Sequence, residues 1–66
     1  MTPENLEILK ATHNSLLEIT TNLYISGENA SESEDYESSG LFFAQADKLY
    51  VIVENLDAII SEREEI

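Results

Sequence analysis

Apolar positions along this chain fall into two segments with a helical period, separated by a polar stretch. In the first, Leu6, Leu9, His13, Leu16, Leu17, Thr20, Leu23 and Tyr24 follow one another so that, at ~100° per residue, they share one helix face. Ile8 and Ile19 widen that face, and Glu4, Glu7, Ala11, Asn14, Glu18 and Asn22 line the opposite one. The start is well marked. Thr2 suits an N-cap, Pro3 the first helical position, and Glu4 the first turn, where the helix dipole favours an anion. Ser26-Gly27 offers a glycine for the left-handed residue just past a helix end. The pattern predicts a helix over about residues 2–26.

In the second segment Phe42, Ala46, Leu49, Val53, Leu56 and Ile60 are spaced 4, 3, 4, 3, 4, a heptad pattern. Leu41, Ile52 and Ile59 border it on one side, Phe43 and Tyr50 on the other, so the apolar arc spans on the order of 200°. Tyr50-Val51-Ile52-Val53 in isolation would suit a strand, but its neighbours keep the helical period. The connection, about residues 27–33, is acidic and rich in Ser. Ser31 with Glu34 makes a capping-box pattern that predicts a second helix over about residues 33–64. Tyr36 then extends the stripe of Phe43 and Tyr50 at seven-residue steps. A start at Ser39 also fits, and Gly40 is a weak point for the earlier one.

One domain of all-α class follows, an antiparallel helical hairpin, because a short connection makes consecutive helices neighbours. A lone hairpin leaves much of the wide arc in water. Two hairpins paired into a four-helix bundle would cover it, so a homodimer is expected. Leu9, His13, Leu16, Leu23, Leu49, Val53, Leu56 and Ile60 are the expected dimer core.

Composition strengthens this expectation. The chain has 66 residues, 14 Asp+Glu against 3 Lys+Arg, a formal charge of −11, and no Cys. A chain this short buries only about 60% of its unfolded surface. Without disulfides, oligomerisation or very regular helix packing must supply stability. No apolar run approaches the roughly 20 residues of a membrane span. Met1-Thr2-Pro3-Glu4-Asn5 lacks the basic start and apolar core of a signal peptide, so a cytoplasmic protein is expected. Three basic residues make no nucleic-acid-binding patch; the acidic balance points to basic partners or to solubility.

Candidate chemistry is sparse. The chain has no Cys nucleophile and a single His, and a hairpin offers no concave pocket, so no enzyme activity, cofactor or metal is expected. His13 on the apolar face is a pH switch or metal ligand on one reading, a seam histidine bonded to a neighbour on the other. Lys10 stands where the Glu of an inward-facing Glu-x-x-His motif would be. Glu32, Glu34, Asp35 and Glu37 form an acidic cluster, on one reading a weak attractor of a divalent cation, on the other and commoner one a solvated stretch. Carboxylates on a helix surface lie about 5–6 Å apart, near the spacing of phosphates along a DNA strand. Glu4, Glu7 and Glu18 with Asp47, Glu54 and Glu65 therefore allow a DNA-mimic reading, although Ala11, Asn14, Asn22 and Ala58 interrupt the rows. Tyr36, Phe43 and Tyr50, with Asp35, Asp47 and Glu54 near them, are the expected protein-binding residues, since aromatic anchors dominate interface energy.

In size, charge and architecture the whole chain resembles the small acidic inhibitor proteins of bacteriophages, of the anti-quorum-sensing and anti-defence type; no individual motif is shared. The resemblance implies a non-catalytic inhibitor or adaptor that occupies a host regulator or defence protein in the host cytoplasm. Its partners would be itself, as a homodimer, and a basic or DNA-binding host protein, without direct contact to nucleic acid or membrane. An acidic decoy for a nucleic-acid-binding protein and an antitoxin-like assembly subunit are the alternatives.

Overall fold

A computed structural model describes residues 1–64, which form two helices, α1 over Pro3–Glu32 and α2 over Tyr36–Glu64. They pack against each other along their whole length as an antiparallel hairpin measuring 49 × 15 × 12 Å. At 1.5 Å per residue, helices of 30 and 29 residues span roughly 45 Å, so the molecule is one helix long.

The start of α1 follows the sequence. The Asn5 backbone N–H donates to Thr2 Oγ1 at 3.2 Å, and Pro3 occupies the first turn. Its end does not. α1 continues six residues beyond Ser26, and Gly27 lies buried inside it rather than past its end. The reason is packing: Gly27 is where the Phe43 ring of α2 presses onto α1, so it removes a side chain from a contact and terminates nothing.

The actual stop is a Schellman motif. The Asp35 N–H donates to the Ala30 carbonyl at 2.9 Å and the Glu34 N–H to the Ser31 carbonyl at 3.0 Å. Glu34 supplies the left-handed residue, with φ of 64°, a position that favours glycine. Ser31 and Glu34 therefore close α1, and the expected capping box is not formed. Asp35 opens α2 instead: its Oδ1 accepts from the Ser38 N–H at 3.2 Å and its carbonyl from the Ser39 N–H at 3.0 Å. The connection shrinks from the expected seven residues to 33–35, and α2 starts between the two expected positions, at Tyr36.

This turn carries one prediction. Glu34→Gly should raise stability by up to about 1 kcal/mol, because it relieves the cost of holding a Cβ in the left-handed region. Asp35→Ala should lower the unfolding midpoint, because the cap is lost. The Ser38 hydroxyl and N–H hold the Asp35 carboxyl below the usual carboxylate range. Its contribution is thus complete above the ordinary Asp value and disappears as pH falls through the lowered one. Urea unfolding of both variants at neutral and acid pH measures these effects.

The seam has heptad spacing on both helices. On α1 it runs through Leu6, Leu9, His13, Leu16, Thr20, Leu23, Gly27 and Ala30; on α2 through Ser39, Phe42, Ala46, Leu49, Val53, Leu56 and Ile60. Thr20, Gly27, Ser39, Ala46, Val53 and Ile60 are buried. Thr20 satisfies its hydroxyl by donating to the Leu16 carbonyl at 2.7 Å. Small residues at this seam let the backbones approach closely, and Ala46 keeps no exposed surface. The residues expected as a dimer core, Leu9, His13, Leu16, Leu23, Leu49, Val53, Leu56 and Ile60, all lie in this intrachain seam.

Candidate interaction surface

The seam divides the hairpin surface into two flanks, and cross-helix contacts identify one of them. Lys10 Nζ lies 2.6 Å from Glu64 Oε1 and 3.5 Å from Glu7 Oε1. Tyr24 donates its hydroxyl to Asp47 Oδ1 at 2.6 Å. The Tyr24 and Phe43 rings stand 6.3 Å apart at 40°, a tilted pair of the kind aromatic quadrupoles favour. Phe43 in turn covers Gly27. These contacts place Lys10, Leu17 and Tyr24 of α1 beside Tyr36, Phe43, Tyr50, Asp57 and Glu64 of α2 on one side of the molecule, the Tyr24 flank.

Each expected binding residue has a definite place. Phe43 is half-buried and works as a structural clamp between the helices. Tyr36 and Tyr50, 68% and 46% exposed, stand on the same flank with their rings open to solvent. Asp47 is held by Tyr24, and Glu54, seven residues on, is exposed on the same face. Asp35 is spent on the α2 cap and lies at the turn. Glu65 lies outside the described residues. The sequence did not signal the role of Tyr24, whose link to Asp47 spans 23 residues and depends on the helix register.

The flank is acidic as well as aromatic: Glu7, Glu28, Asp47, Glu54, Asp57 and Glu64 stand there against Lys10. The Lys10 ammonium is held above its ordinary value, first by its hydrogen bond to Glu64. The Tyr24 phenol is likewise raised, first because its proton is shared with Asp47. A titration follows. With a folded-state value above the ordinary tyrosine value of about 10, the bond's contribution is complete below that pH and is lost as pH rises through the raised value. Monitored by tyrosinate absorbance, the Tyr24 ionisation should move to lower pH in Asp47→Asn, because the charged acceptor that holds its proton is gone.

At the open end of the hairpin an open groove of about 340 Å³ is lined by Lys10, His13, Asn14, Asp57, Ile60, Ser61 and Glu64. His13 sits in the seam where it meets this groove, with Nδ1 3.3 Å from Asn14 Oδ1. No group of three or more His, Asp and Glu able to hold a metal ion occurs among the described residues, and no described helix is long and apolar enough to cross a membrane. No protein-family model matches this chain, and no curated protein or solved structure compared with it matches either.

Proposed function

We propose that this chain is a non-catalytic protein-binding module, an inhibitor or adaptor of the phage accessory type, which occupies a basic regulator or defence protein through its Tyr24 flank. The observation that carries the reading is the exposure of Tyr36 and Tyr50 beside Asp47 and Glu54 on one helix. Aromatic anchors supply most of the energy of such interfaces, and the carboxylates around them select a basic partner and speed encounter.

The experiment is affinity capture from bacterial lysate, followed by titration of the captured protein with variants. Tyr36→Ala or Tyr50→Ala should weaken binding about tenfold or more while circular dichroism stays unchanged, and Glu54→Gln should mainly slow association. Normal binding by both folded tyrosine variants would contradict the reading. The acidic-decoy alternative rests on the excess of carboxylates over basic groups. It predicts instead that affinity collapses as salt rises and that DNA competes.

A further inference from the structure

The second flank, opposite Tyr24, differs in chemistry from the first. It comprises Asn5, Thr12, Ile19 and Ser26 of α1 and Ser38, Gln45, Ile52 and Ile59 of α2, with Ile8 and Leu41 on its outer border. Ile8, Ile19, Leu41 and Ile52 are 61%, 49%, 59% and 48% exposed. Among the described residues the charges on this side are Lys48 and Glu62, which cancel, although the chain carries −11 overall. From the charge-poor composition of this flank we infer that it is the surface on which a second copy of the chain docks, forming a homodimer that leaves both acidic aromatic flanks free.

Three observations select this occupant. The first is charge. Two copies of a −11 chain repel, and pairing through the Tyr24 flank would set Glu28, Asp47, Glu54 and Asp57 of one copy against those of the other. The Ile52 flank brings no net charge to the contact, and the carboxylates of the Tyr24 flank stay in water. The second is area. A face of 49 by 15 Å offers roughly 700 Å² per copy, close to the ~800 Å² per partner of a stable interface. The third is unmet burial. The exposed surface is 4787 Å², against about 4,200 Å² expected for a compact monomer of this mass. Among the described residues the buried apolar side chains are Ala46, Val53 and Ile60. Ile52 and Ile59 add a third apolar position to the seam over the C-terminal half of α2, and Ile19 is the apolar residue of the matching column on α1. The inference stands whether or not the other flank binds a regulator.

Sedimentation equilibrium tests it with charge-matched pairs. Ile19→Lys/Ile52→Lys and Tyr36→Lys/Tyr50→Lys alter net charge equally, so long-range repulsion changes alike in both. The wild type and the tyrosine pair should sediment as dimers at micromolar concentration, and the isoleucine pair as a monomer. The milder Ile19→Val/Ile52→Val keeps the helices and should weaken the dimer at least tenfold, since four buried methylenes are lost per dimer. A wild type that stays monomeric through the high micromolar range would overturn the inference. So would a dimer broken by the tyrosine pair or indifferent to Ile19→Val/Ile52→Val.

Discussion

Val53→Asp should abolish the folded state, while Val51→Asp, two residues away, should leave it intact. Val53 sits in the seam with 5% of its surface exposed; Val51 points outward with 65% exposed. At roughly 0.05–0.15 kcal/mol per residue, a chain of this length is stable by about 3–10 kcal/mol. An unpaired carboxylate buried in the seam costs several kcal/mol, enough to consume most of that margin. An outward-facing substitution stays within about 0.5 kcal/mol. Helical circular dichroism should vanish for the first variant and persist for the second. The pair also discriminates between secondary structures. In a strand, residues 51 and 53 would share one face and respond alike; equal responses would refute the seam.

The two glycines should answer alanine substitution with opposite signs. Gly40 lies on the surface of α2, and a Cβ there would meet nothing within 4 Å, so Gly40→Ala should stabilise by about 1 kcal/mol through helix propensity. At Gly27 a Cβ would lie 2.7, 2.9 and 3.0 Å from three atoms of the Phe43 ring. That overlap forces the ring aside or the helices apart, at a cost of about 1–3 kcal/mol that offsets or exceeds the propensity gain. Because this contact lies between α1 and α2, Gly27→Ala should destabilise, and in a Phe43→Ala background the same substitution should stabilise. The coupling read from this double-mutant cycle by urea unfolding should reach about 2 kcal/mol. Additivity would mean that Phe43 does not rest on Gly27.

The contact of Phe43 with Gly27 also bears on what was legible in the sequence. The all-α hairpin and its heptads were readable, because apolar spacing records which face is buried. The end of α1 was not, because glycine has the same signature as a helix stop and as a site of close approach, and only the opposing ring distinguishes them. Glu34 in the left-handed region carries no compositional signal, so Ser31 and Glu34 read as a start when they form an end. The stripe of Tyr36, Phe43 and Tyr50 was visible as a seven-residue repeat. Its division into one clamp and two exposed rings depends on where Gly27 and Tyr24 fall across the seam. The Ile52 flank was visible in halves, Ile52 and Ile59 bordering one arc and Ile19 the other, but not as one surface. Ile19 and Ile52 lie 33 positions apart, and only antiparallel register brings them to one side.

The proposed homodimer, docked through the Ile52 flank and leaving the Tyr24 flank open for a basic protein, predicts a direct signature in solution. Amide-resolved nuclear magnetic resonance during serial dilution of the nitrogen-labelled protein reads it. The signals of Thr12, Ile19, Gln45, Ile52 and Ile59 should shift together along one dissociation curve while those of Tyr24, Asp47, Tyr50 and Glu54 stay in place. Shifts concentrated on the Tyr24 flank, or no shift at any concentration, would contradict it.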